Sequence, residues 1–216
     1  MGSERMSLQE LLVLLRTAKT VAEIDDRKEE ITELIPQIRI MFDYKQKNYA
    51  HQYDLWFHCL HTVINLPREI DDDMLYLAAL LHDIGKPSCQ VKGQNEDDPN
   101  MHYYGHPQKS MEIVRDEIIP ELTGKDYRLS SKDQKRLIYY VEYHDDRVSL
   151  RIKHRKRHLK MVTLEEFHKL MLLQIADAKA HVLIPPVIER IRICKTLAED
   201  TLAVEKRQAY KEGERK

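Results

Sequence analysis

The sequence predicts an all-α protein, a helical bundle, and three observations carry that prediction. Its 216 residues include only six glycines and eight prolines, which fall between the periodic segments, as helices require and a many-turned β fold does not. Apolar residues recur at spacings of three and four along most of the chain. Serine, threonine or aspartate stands just ahead of several of those runs, where a helix needs a cap.

Near the start, Ser7-Leu8-Gln9-Glu10 and Thr20-Val21-Ala22-Glu23 read as two capping boxes. Leu8, Leu11, Leu12 and Leu15 then form one helical stripe; Ile24, Ile31, Leu34 and Ile35 form another, which Pro36 breaks. These stripes suit a core or a contact with a second copy of the chain, so a homodimer stays open. Asp54 caps a helix running to about Leu66, where Pro67 stops it. Asp71 or Asp72 caps the next, from Met74 to about Asp83, whose apolar content predicts burial on every side. Gly85 and Pro87 end that helix, the glycine by allowing a sharp turn. Residues 87–105 are polar, with Gly93 and Pro99, and predict a small hairpin or a loop. Helices are expected again over 106–119, 132–143, 164–183 and 187 to about 210, the last after a stop at Pro185-Pro186, with a fraying tail.

No linker or internal repeat divides the chain. One domain, 1–216, is expected, with N-terminal helices over 1–48, a central core over 50–182, and a final helix and tail over 187–216. A chain 42% hydrophobic and 33% charged suits a domain that buries a sizeable core. The formal net charge of −1 argues against nucleic-acid binding through global charge and leaves room for a local basic patch. The apolar run 11–15 is too short to span a bilayer and lacks the flanks of a secretory signal. Cys59, Cys89 and Cys194 form no C-x-x-C pair. A cytoplasmic protein without a membrane partner is the expectation.

Chemistry concentrates in His58, His82-Asp83, His106, His144 and Asp177, at or near the ends of five predicted helices. Imidazole and carboxylate together suit a divalent transition metal (Mn, Fe, Co, Ni or Zn), whereas pure magnesium sites rarely recruit so many histidines. Successive helical residues point about 100° apart, so His82 and Asp83 reach one ion only where the helix terminates. Lys86 then supplies a cation beside the site.

The run H-D-I-G-K after L-A-A-L-L resembles the HD-domain phosphohydrolases, and more closely the HD domain carried by some bacterial tRNA nucleotidyltransferases. H-Q-Y-D-L-W-F-H (51–58), L-A-A-L-L-H-D-I-G-K-P, M-H-Y-Y-G-H (101–106), V-E-Y-H ending at His144 and A-D-A-K-A around Asp177 occur in matching order over roughly residues 50 to 182. The resemblance implies that His58, His82, Asp83 and Asp177 ligate a metal. It implies that His106 and His144 hold a second ion in a binuclear centre, with Asp83 bridging the two. It does not extend to a nucleotidyltransferase head, so tail addition to tRNA is not expected. The H-D-x-x-E-D that marks alarmone hydrolases is not matched, since the doublet here runs on into Gly85-Lys86, and no G-Y-P follows.

Plainer readings stand beside these. His82-Asp83 alone suits a hydrogen-bonded core pair, and Asp177 could pair with Lys179 or cap a helix. His58 competes with His61 and His51, although its match beside Trp56 and Asp54 favours it. His106 and His144 suit helix-end histidines, His181 a solvated neighbour of Asp177, and Lys86 a solvated lysine. His102, Tyr103 and Tyr104 suit packing of their loop, or stacking on a base. The basic stretch 147–160 reads as a solvated connection, or as a dock for a phosphate-rich ligand or an RNA end. Of its members, Arg147 is the one expected to face the site and bind substrate.

The resemblance therefore implies a metal-dependent phosphohydrolase acting on a phosphomonoester, nucleotide or 2′,3′-cyclic phosphate by attack of a metal-activated water on phosphorus. Asp83 orients the attack, and Lys86 stabilises phosphoryl charge. The alternatives are a metal-stabilised nucleotide- or RNA-end-binding module without turnover, and a helical interaction protein that leaves the His/Asp set unexplained.

Overall fold

The computed structural model describes residues 5–213 except 94 and 96, and side chains only as far as residue 204. Its elements in order are α1 (Leu8–Thr17), α2 (Val21–Asp25), α3 (Lys28–Leu34), a 3₁₀ turn (Pro36–Met41), α4 (Leu55–Asn65), α5 (Asp73–Leu81), α6 (Lys86–Cys89), β1 (Val91–Lys92), β2 (Met101–His102), α7 (His106–Ile113), a π turn (Val114–Ile118), α8 (Ile119–Gly124), α9 (Ser131–Tyr143), α10 (Ile152–His158), α11 (Leu164–Ala180) and α12 (Pro185–Gly213). The all-α prediction holds.

Caps explain most of the boundaries. Ser7 forms a full capping box with Glu10. Thr20 forms half of one: its hydroxyl accepts from Glu23 N, but the Glu23 carboxylate accepts from Lys19 N rather than Thr20 N. Asp54 caps α4 and Asp72 caps α5. Every residue from Met74 to Leu81 is buried, since α5 runs between α1, α4, α9 and α11. Burial of each leucine there contributes roughly 1.5–3 kcal/mol.

Four boundaries depart from expectation. The segment expected as one helix over 106–119 widens into the π turn just before Pro120, which has no N–H to donate to Asp116 and would crowd that carbonyl in an α-helix. The basic connection 147–160 contains α10, whose run of charges concealed a helix that buries His158. Helix α11 ends at Ala180, because His181 turns extended. Pro185 and Pro186 then open α12 instead of standing outside it, in keeping with proline's preset φ and missing donor at a helix start. The tail beyond residue 213 lies outside the described residues. β1 and β2 pair antiparallel, Val91 with His102 and Lys92 with Met101, so the 87–105 segment contains the small hairpin. Among the described residues no helix is long and apolar enough to cross a membrane.

Asp72 joins cap and core. Its carboxylate accepts from Met74 N and Leu75 N, takes the Tyr140 hydroxyl at 3.2 Å and Lys169 Nζ at 3.1 Å, and pairs with Arg136. Removing it leaves two largely buried cations without their anion. Asp72→Ala should lower unfolding free energy by about 3–5 kcal/mol, read from the urea midpoint; a change below about 1 kcal/mol would mean that the pair is not structural.

Candidate metal centre

Five helix termini deliver the site. His58 sits in the first turn of α4, His82 caps the C-terminus of α5, His106 opens α7, His144 caps α9, and Asp177 lies in the last turn of α11. All are buried, along with Asp83 and Lys86.

The Asp83 carboxylate faces two groups. Its Oδ2 lies 3.3 Å from both His58 Nε2 and His82 Nε2, and Asp177 Oδ1 closes the set at 3.0 Å from His58 Nε2 and 3.6 Å from His82 Nε2. Its Oδ1 lies 3.1 Å from His106 Nε2 and 3.3 Å from His144 Nε2, which are 3.2 Å from each other. Ligands bonded to one ion at about 2.0–2.2 Å stand about 3.0–3.5 Å apart, so both groups have the spacing of a coordination shell.

The imidazole tautomers make the stronger case. Nδ1 of His82 lies 2.9 Å from Ala79 O, that of His106 2.8 Å from Tyr103 O, and that of His144 2.7 Å from Val141 O. A carbonyl only accepts, so each Nδ1 carries the proton and each neutral ring turns an Nε2 lone pair inward. The 3.2 Å contact between His106 and His144 then has no proton to share. Lone pairs on two imidazoles and a carboxylate oxygen converge there and repel unless a cation lies among them. His58 has no hydrogen-bond partner at either ring nitrogen, and His82 Nε2 and Asp83 Oδ1 have none either. Buried polar atoms are seldom left so. The donor set fits a divalent ion, and the described residues group accordingly into His58, His82, Asp83, Asp177 and into Asp83, His106, His144.

Burial pushes the Asp83 carboxyl up, but Lys86, then His82, His106 and His144, hold it well below the usual range. Burial likewise opposes ionisation of Asp177, and His181, His58 and His82 outweigh it. Both are anions at neutral pH. The same demand for positive charge shows at His82: burial works against a charged ring, yet Asp83, Cys59 and Asp177 carry its pKa well above the ordinary value, so that a proton and a divalent ion compete for its Nε2. Lys86 Nζ lies 2.6 Å from Asp83 Oδ2 and 2.8 Å from Gln46 Oε1; it is a buried counter-ion, not a solvated side chain.

Gly85 serves differently from the expected sharp turn. Its φ of −80° and ψ of −13° are open to any residue. A Cβ there would lie 2.5 Å from Ser110 N and 2.9 Å from His106 O, so glycine lets α6 and α7 touch and brings His106 to Asp83.

A cleft of about 450 Å³ opens over the group, lined among others by His51, Lys86, Tyr104, His181 and Arg190. Arg147 is not among its residues. It is exposed and lines a separate depression beside α10, because the chain turns away after His144. Arg190 of α12 takes the place expected of it, donating to Asp145 Oδ1 at 2.8 Å and His144 O at 3.0 Å. Nothing local in the sequence marks Arg190, which is 46 residues from His144. His61 stacks on Tyr53 away from the group, and Lys179 is exposed. His51 and His181 flank His58, and burial lowers the His181 pKa to about 4.

Gly85→Ala should leave helix content intact and cut bound divalent metal severalfold, read by elemental analysis of the folded protein. Unchanged metal content would show that the close approach is dispensable. A divalent ion competes with the His82 proton for Nε2, and the ring's pKa is raised, so metal affinity should climb as pH rises past the ordinary imidazole value. A pH-independent affinity in metal titrations would contradict the assignment of His82 as a ligand.

The model of the HD domain family matches residues 15–180, a span that holds every residue of the two groups. No curated protein matches the chain. Members of the family are in general metal-dependent hydrolases, which accords with a donor set suited to divalent ions. The chain belongs to the HD domain family.

Proposed function

We propose that the cleft hydrolyses a phosphate ester of a nucleotide or similar small molecule, a phosphomonoester or a 2′,3′-cyclic phosphate, on two divalent transition ions (Mn, Fe, Co, Ni or Zn). One observation carries the reading: the two oxygens of Asp83 face two separate sets of lone-pair donors. His58, His82 and Asp177 would hold one ion, His106 and His144 the other, and Asp83 both. Bound there, such ions polarise a phosphoryl oxygen and lower the pKa of water from 15.7 toward about 7.

The chain's own groups supply the rest. Asp83, anionic and fixed by Lys86, keeps the two donor sets in register. Lys86 and Arg190 place positive charge on the cleft wall, where phosphoryl oxygens gain charge as the ester is attacked. Burial of the ligands excludes bulk water from all but the open face. At the mouth, Tyr104 is 69% exposed and stacks on His102 at 5.3 Å with rings 5° from parallel. That pair offers a platform for a base, whereas Tyr103 is packed inside. The platform favours nucleotides over phosphorylated sugars, and the likeness to nucleotidyltransferase HD domains adds RNA ends bearing a cyclic phosphate.

The test is a panel of nucleotides, 2′,3′-cyclic nucleotides and simple phosphomonoesters assayed with each ion. Asp83→Ala should fall to background, and Arg190→Ala should lower kcat/KM by about 10²-fold while the metal content holds. Full metal loading with no turnover on any ester would reject hydrolysis and leave a binding module.

A further inference from the structure

A second set of ligating side chains lies outside the cleft. Asp146, in the segment after α9, meets two imidazoles from α10. His158 Nε2 is 3.1 Å from Asp146 Oδ2 and His154 Nε2 is 3.4 Å from the same atom. Residues four apart share one face of a helix, and the two rings sit 4.9 Å apart. The His158 side chain is fully buried and that of His154 is 8% exposed. His158 Nε2–H donates to Asp146 Oδ2, and the Tyr139 hydroxyl, 3.0 Å from His158 Nδ1, donates to that nitrogen; an ion that takes the place of the Nε2 proton leaves the proton on Nδ1, where the hydroxyl turns to accept it.

His154 is the anomaly. Both of its ring nitrogens are buried and neither has a hydrogen-bond partner, although an imidazole at that depth ordinarily satisfies at least one. It is aimed at a carboxylate oxygen without the alignment of a hydrogen bond. One donor atom from each of the three residues falls within 4.8 Å of the others.

We propose that Asp146, His154 and His158 form a further metal site, for a zinc-type divalent cation, separate from the centre at Asp83. Two imidazoles and one carboxylate are a donor set that zinc accepts, with the fourth position left to water or another ligand. The His158–Tyr139 contact supplies the outer hydrogen bond that orients a ligating ring. Arg157 pairs with the same Asp146 oxygen, so an ion there displaces it; the guanidinium side chain is 53% exposed and returns to water at little cost. Arg147, Arg151, Lys153, Lys156 and Lys160 around the depression are exposed, so solvent and salt screen their repulsion. Bridging the Asp146 segment to α10, the ion pins a helix that otherwise presents mostly charge to solvent.

The experiment measures zinc per chain after equilibration and desalting in the wild-type protein, His154→Gln, His158→Gln and Asp83→Ala, with circular dichroism of each. His154→Gln should keep its helix content and hold one zinc fewer than wild type. Asp83→Ala should still hold that ion, so loss of the main centre reads separately. Cobalt substitution should give an absorption band that His154→Gln and folded His158→Gln each remove and Asp83→Ala keeps. If His158→Gln fails to fold, His154→Gln carries the result, since its ring has no hydrogen bond in the protein to lose. Equal zinc in folded His154→Gln and wild type overturns the site.

Discussion

A carboxylate removed from water must be answered by positive charge, and around Asp83 the protein supplies very little of it. Lys86 meets one oxygen. Of the remaining neighbours, His82, His106 and His144 commit their Nδ1 protons to backbone carbonyls on the far side of each ring, and His58 has no hydrogen-bond partner at either nitrogen. Two anions, Asp83 and Asp177, thus sit among lone pairs. Such a group is costly to bury unless a cation completes it, and five helix ends have been brought together to make it.

The fold follows from that demand. A histidine at a helix C-terminus can return its Nδ1–H to the carbonyl three residues back and still point Nε2 forward, as His82 and His144 both do. His106 does the same from a helix start, reaching Tyr103 O across the left-handed Gly105. These rings are oriented by their own backbones, so the packing of α4, α5, α7, α9 and α11 need only bring the ends within reach. Apolar α5 fixes the centre of that arrangement, and Gly85 closes the last gap. Asp72 at the other end of α5 is answered within the protein by Arg136 and Lys169. The contrast is chemical: Asp72 has two cations and a hydroxyl from the chain, whereas Asp83 has Lys86 at one oxygen and imidazoles around the rest.

What was legible in the sequence was what local chemistry dictates. Ser7, Asp54 and Asp72 announced helix starts through their side chains, and the unbroken apolar run 74–81 announced burial. The His82-Asp83 doublet and the scattered His58, His106, His144 and Asp177 were readable because their types and helix-end positions suit one another. Less readable were features set by tertiary approach. Arg190 reaches the cleft from a helix far along the chain, and Arg147, close in sequence to His144, turns away. The need for glycine at position 85 lies in Ser110 and His106, not in its own backbone angles. Helix α10 was hidden by its charge, and with it the convergence of His154 and His158 on Asp146.

The most direct measurement is anomalous diffraction from crystals of the protein grown with manganese or cobalt, with data on either side of the metal edge. Peaks on the two sides of the Asp83 carboxylate, one toward His58, His82 and Asp177 and one toward His106 and His144, are the predicted result. Maps without a peak there, with the His106 or His144 ring turned so that a proton bridges the pair, would contradict the account.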